Sequence, residues 1–265
     1  MELSDLAPLC CILLTISFVL SIPSHYKTFK INGFNNLYIE VVIGDMFKEK
    51  CDMIISTNSC FDVDKECIRS DSLQGLFCKK IYKDDTLQLR KDIQIELKKN
   101  HASTTLLPQK KIGEKKQYPI NTIITLKKEM AADSPQYHWI AINHSDNQSG
   151  VIMESVNIFQ SVIAIWEYLQ KKRKRRDLCI PMIGTGYAKQ SVLIPDLVEF
   201  YIDTFIFFSQ KEEFVKTLKI YLYPKNEDVF EDFLCIVHYL EYYSKHVSNL
   251  MTKYLFIRKM IINDK

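Results

Sequence analysis

An unbroken apolar run, Leu178-Cys179-Ile180-Pro181-Met182-Ile183, stops at Gly184-Thr185-Gly186-Tyr187, and a long amphipathic segment follows from about Ser191. A strand that enters a glycine loop and then a helix restricts the fold of this chain more than any other stretch. Glycine admits positive φ and lets a ligand approach the main chain without a Cβ in the way. Only seven of the 265 residues are glycine, so two of them one residue apart carry information. Such a loop gathers unpaired N–H groups and the positive end of a helix around one small space, which suits a phosphate or diphosphate. A tight strand-to-helix turn explains the same residues, and spacing alone leaves both readings open.

The chain around this loop alternates between the two hydrophobic periods. Strands are predicted at 37–43, 52–57, 117–126, 137–143, 178–183 and 218–223. Helical periodicity covers 73–99, with a possible break at Asp84-Asp85, and also 154–171, 195–210 and 227–243. Alternating strands and helices predict an α/β fold, a mixed sheet covered by helices on both faces. With 47% hydrophobic residues the chain has ample material for a core. No repeat or low-complexity linker divides it. The expected organisation is a hydrophobic segment at 1–24, one domain at 36–243 and a tail or helix at 244–265.

The first segment carries its own constraint. Leu6 to Ile22 is free of charge and closed by Pro23, close to the length that spans a bilayer. A signal peptide would want a basic start, but Glu2 and Asp5 precede the run. A buried helix would show more polar positions than Thr15, Ser17 and Ser21. The reading favoured is a transmembrane helix, with Lys27 and Lys30 placing the following domain on the cytoplasmic side. The abrupt start leaves room for a partner span upstream.

The net charge of +3 is too small to call for nucleic acid. The run Lys171 to Arg176 reads as a solvated helix C-terminus, with anionic lipid as the second reading. The eight cysteines form no Cys-x-x-Cys pair and have no histidine cluster, so no metal site is expected. They read as small buried residues in a reducing compartment rather than as a disulfide scaffold. His138 and His144 flank a strand, without a serine or cysteine nucleophile at a recognisable motif.

Several positions offer hydrogen bonds at strand ends. Asp45, after Gly44, would cap the next turn or accept from an adenine amino group. Asn58 would hold a turn or touch a ribose. Asp71-Ser72-Leu73-Gln74-Gly75 reads as a helix start, capped by Asp71 or Ser72, with its N–H groups facing outward as a second phosphate contact.

In order and spacing, Gly44-Asp45-Met46, Asp52-Met53-Ile54-Ile55-Ser56 with Asn58, and Pro181-Met182-Ile183-Gly184-Thr185-Gly186 resemble the motifs of macro domains. These are three-layer α/β/α modules that bind ADP-ribose and related nucleotides. The resemblance implies that Asp45 meets the adenine, that Gly184, Thr185 and Gly186 wrap the diphosphate, and that the loop before Gly75 closes over the other side, with Asn58, Ser72, Leu73, Gly75 and Tyr187 also among the ligand-binding residues. The segment Asn58-Ser59-Cys60-Phe61-Asp62, followed by Ser72-Leu73-Gln74-Gly75, departs from the glycine-rich first loop of ordinary macro domains. It is closer to the divergent macro domain of the Thoeris antiphage effector. That likeness implies a membrane-anchored, non-enzymatic sensor with no cofactor, whose ligand is ADP-ribose or a conjugate. It further implies an NAD-derived signal, a TIR-domain protein as its source, and a possible homo-oligomer at the membrane. An ADP-ribosyl hydrolase and a ligand-free assembly module are the alternatives.

Overall fold

The computed structural model describes residues 25–100, 103–129, 131–144, 155–184, 193–224 and 228–246. Nine strands and five helices are present among them: β1 (Tyr26–Lys30), β2 (Tyr38–Ile43), β3 (Asp52–Asn58), α1 (Leu73–Ile81), α2 (Thr86–Asn100), β4 (Thr105–Leu106), β5 (Lys116–Gln117), β6 (Ile123–Lys127), β7 (Gln136–Asn143), α3 (Ser155–Lys172), β8 (Arg176–Pro181), α4 (Ile194–Lys211), β9 (Val215–Leu222) and α5 (Val229–His246). Seven strands form one sheet in the order β1-β2-β9-β8-β3-β7-β6, and β4 and β5 make a separate small ribbon. The middle five are parallel, while β1 on β2 and β6 on β7 are antiparallel edges.

Side-chain alternation splits the core in two. On one face Ile39, Val41, Ile54, Ile140, Leu178, Ile180, Leu218 and Ile220 meet the apolar stripes of α3, α4 and α5, with Trp166, Phe205 and Phe214 in ring contact. On the other, Met53, Ile55, Tyr137, Trp139 and Cys179 face α1 and α2. Phe77 of α1 sits edge-on to Tyr137 and Trp139, with centroids 4.9 and 5.2 Å away. This is the expected mixed sheet with helices on both faces.

Three details differ from the sequence reading, and one break that it allowed for is present. β1 lies ahead of residue 36, where the domain was expected to begin, and is hydrogen-bonded into the same sheet. The expected strand at 117–126 is two pieces, because Pro119 lacks an N–H and Asn121 takes a positive φ of 68°. The helix at 73–99 does break near Asp84-Asp85, where Lys83 and Asp84 take positive φ. Cys51 and Cys179 form a disulfide with Cα atoms 6.4 Å apart, which corrects the reading of the cysteines as buried thiols alone. Neighbouring strands bring those two residues together across 128 positions of sequence, a pairing that spacing does not reveal.

The hydrophobic segment expected at 1–24 and most of the tail at 244–265 lie outside the described residues. Among the described residues, no helix is long and apolar enough to cross a membrane.

Candidate functional site

Parallel strands aim their carboxyl ends at one rim of the sheet, where α/β folds hold ligands. Here β2, β9, β8, β3 and β7 end together around a cavity of about 550 Å³. Its wall takes in Asp45, Tyr223, Gly184, Thr57 and Asn143, one from beyond or within each strand end in that order. From β2 to β7 are four strand spacings, about 19 Å at roughly 4.8 Å each. The cavity is therefore long as well as roomy.

Asp45 serves as the cap that its position suggests. One carboxylate oxygen accepts from Phe47 N at 3.1 Å, and the other pairs with Lys80 of α1. It still lines the cavity. Asn58 also lines it, but its amide is committed: Oδ1 accepts from Cys60 N at 3.0 Å and Asp62 N at 3.3 Å, and Nδ2 donates to Asp62 at 3.1 Å. The turn reading of Asn58 is the one realised. Ser72 caps α1, accepting from Gly75 N at 3.1 Å and donating to Arg69 O at 2.7 Å, and it lines the cavity together with Leu73.

Gly75 is a correction. It is not part of the cavity wall, and its N–H is taken by Ser72 rather than left for a phosphate. A Cβ there would stand 2.3 Å from the Arg69 carbonyl oxygen, so glycine serves the close passage of loop and helix. Gly184 adopts φ +84°, a conformation that suits glycine, and reaches the cavity. Thr185, Gly186 and Tyr187 lie outside the described residues. The strand leading to Gly184 is fixed by a buried phenol: Tyr201 accepts from Ile183 N at 3.0 Å and donates to Pro181 O at 3.2 Å. Burial raises the pKa of that hydroxyl, so it stays protonated.

The loop after β3 is held by groups that no motif announces. The Asp62 carboxylate pairs with Lys110, both side chains fully or nearly buried, and accepts from Glu114 N at 2.7 Å. Burial, the largest single influence, pushes the Lys110 ammonium down, but the bond to Asp62, its negative charge and Cys60 together outweigh it and the net shift is upward. Gly113, at φ +81°, permits this approach, since a Cβ there would fall 2.2 Å from the Asp62 carboxylate. Gln74 donates to the Asp62 carbonyl, and Arg90 pairs with Asp64. Asp62, Asp64 and Cys67 do bring three ligand-type atoms within 4.8 Å of one another. Their carboxylates already face Lys110 and Arg90, and burial pushes the Cys67 thiol up to about 11. Cys67 lines the cavity, and its burial favours the neutral thiol.

Other groups were beyond the sequence reading. Thr57 Oγ1 and Asn143 Oδ1 are buried without a hydrogen-bond partner, both in residues of the cavity wall. Ser59 Oγ lies 3.2 Å from His144 Nδ1, and Gln117 Nε2 is 2.9 Å from the same nitrogen. His144 thus has a serine partner in space that no motif predicted, although Ser59 is buried and lies outside the cavity wall. His138 is buried at the other end of β7, where its Nδ1 meets Thr125 at 2.9 Å. Within the basic run, Arg175 pairs with Glu213 and Arg176 reaches Asp52 at 3.3 Å, while Lys171 to Lys174 are exposed. The solvated-face reading thus fits four of its six residues.

A crevice across the carboxyl ends of a mixed sheet, with an aspartate after β2 and a positive-φ glycine after β8, defines the protein as a macro domain. Residues 39–223 match the family described as Thoeris protein ThsA, Macro domain, and the chain belongs to that family. Among solved structures, a point mutant of the Oceanobacillus iheyensis macrodomain is similar at 15% identity and a TM-score of 0.54, over 82% of this chain and 98% of that one. The same macrodomain with ADP gives 16% identity and a TM-score of 0.52 over 82% and 98%. A further mutant of it with ADPR gives 16% and 0.53 over 81% and 98%. Such identities speak for the fold alone. No curated protein matches the sequence.

Proposed function

We propose that the cavity binds ADP-ribose or a conjugate of it, with the adenine toward Asp45, the diphosphate at the Gly184 loop and the distal sugar toward Thr57 and Asn143. The observation that carries this reading is the cavity's length and order: an acceptor at the β2 end, a glycine-built turn at β8 and neutral polar groups at β7. Tyr223, half exposed at the end of β9, offers a ring face beside the base. The reading is also supported by the ligands named for the similar O. iheyensis structures, ADP and ADPR.

The role is a sensor rather than a hydrolase. Asn58, which would have to position a ribose and a water, is tied to Asp62, and Cys67 is a neutral thiol. In this reading the ligand is an NAD-derived signal made by a TIR-domain protein in antiphage defence. The apolar segment before residue 25 anchors the chain, and the domain sits on the cytoplasmic side. Binding acts at the membrane by favouring one assembly of copies over another, which requires different affinities in the two assemblies. His25 O accepts from Ile43 N at 2.7 Å, two residues from Asp45, so the chain leaves toward that segment at the cavity's rim. Calorimetry of the full chain with ADP-ribose and its conjugates tests the proposal. Binding in the micromolar range is expected, and silence at millimolar concentration from all of them ends it.

A further inference from the structure

Charge is distributed unevenly along the cavity. Three carboxylates, Asp45, Asp228 and Asp232, stand at the β2–β9 end, Asp228 just ahead of α5 and Asp232 on its first turn, and α5 packs against β2. At the other end the wall is Thr57, Asn58 and Asn143, all neutral. Arg69 is the lone cation in the described wall and is bridged to Asp71 at 3.2 Å. Asp45 is balanced by Lys80, but among the described residues neither Asp228 nor Asp232 has a cationic partner. Burial, then Asp228 and Glu231, raise the Asp232 carboxyl above its ordinary value.

On the nucleotide reading above, the adenosine ribose lies between Asp45 and Gly184, and Asp228 and Asp232 line the same cavity from the start of α5. We infer that Asp228 and Asp232 make the site selective for an adenosine ribose that carries free hydroxyls and exclude one that carries a phosphate. A carboxylate accepts a hydrogen bond from a ribose hydroxyl but repels a phosphate in the same place. Acidic side chains draw the same distinction between dinucleotides with and without a 2′-phosphate in an unrelated fold. The consequence is an exclusion: nucleotides derived from the 2′-phosphorylated form of NAD do not enter the site.

The test is calorimetry of the full chain with ADP-ribose and with ADP-ribose 2′-phosphate at low salt. Wild-type protein is expected to prefer ADP-ribose by on the order of 30-fold, the scale of repulsion between a phosphate and partly desolvated carboxylates. The double variant D228N/D232N, near-isosteric and checked by circular dichroism, is expected to reduce that ratio to about fivefold or less, chiefly by gaining affinity for the phosphorylated ligand. Each variant is its own control, because both ligands are measured on the same preparation. Equal affinities in the wild type, or an unchanged ratio in the double variant, overturn the inference while leaving the nucleotide site intact. Failure of both ligands to bind wild-type protein overturns the nucleotide reading itself.

Discussion

Two loops border the cavity at the ends of neighbouring strands, β3 and β8, and they are secured by opposite means. The loop after β3 is pinned by side chains: Asp62 alone engages Asn58, Lys110 and the Glu114 amide. The turn after β8 relies on backbone conformation, a glycine at φ +84° with the buried hydroxyl of Tyr201 bracing the residues before it. A loop whose polar groups bond one another has few left for a ligand. A glycine turn spends no side chain and can offer main chain to one. The first loop in this protein therefore acts as a wall of the cavity.

Removing one partner of the buried pair should produce the largest effect. Lys110→Met leaves Asp62 charged and unpaired, which costs about 3–5 kcal/mol of stability in chemical denaturation. Replacing both, as K110M with D62L, should recover part of that loss. If K110M proves as stable as wild type, the first loop is not held by charge and the contrast collapses.

Tyr201→Phe probes the second loop. Loss of the hydroxyl leaves Ile183 N without its bond and should cost about 1–2 kcal/mol. Because Tyr201 braces the turn proposed to meet the diphosphate, ADP-ribose affinity should fall by more than K110M lowers it, measured by calorimetry at a temperature where both variants are folded. A larger affinity loss in K110M would reverse the assignment of wall and ligand loop.

The smallest effect belongs to neither loop and calibrates both. The Asp232 carboxyl titrates above its ordinary value in the folded state, so the native protein holds that proton more tightly than the unfolded chain. Stability from this group is therefore greatest at low pH and declines as pH rises through the shifted value. Asp232→Asn removes the dependence. Urea melts should show it more stabilising relative to wild type at pH 7 than at pH 4, and a gain that is the same at both would contradict the shift.

The elements legible in the sequence were those with a continuous buried run or one buried stripe. Asp52–Asn58 and Gln136–Asn143 are almost wholly apolar or buried, and α3 and α4 carry clean stripes. Tyr26–Lys30 was missed because only Phe29 of its five residues is buried, as befits an exposed edge. Asp45 and Gly184 could be found because each follows directly from a strand end. Lys110 could not: it meets Asp62 across 48 residues, from a ribbon whose strands are two residues long. Gly75 misled because a helix-start glycine looks the same whether it admits a phosphate or a neighbouring carbonyl.

β1 is antiparallel to β2, and its first residue lies at the cavity end of the sheet. The C-terminal helix α5 starts at the same rim and runs toward the opposite pole. A force applied to the chain ahead of His25, directed across the strands and away from β2, would peel this edge strand like a zipper instead of shearing it. The first teeth to part would be the His25–Ile43 bond and the Tyr26–Val42 pair, immediately beside Asp45. Whatever stiffens that corner raises the threshold for opening the zipper, so a small molecule lodged against Asp45 and a tug from the N-terminus would act on one shared hinge.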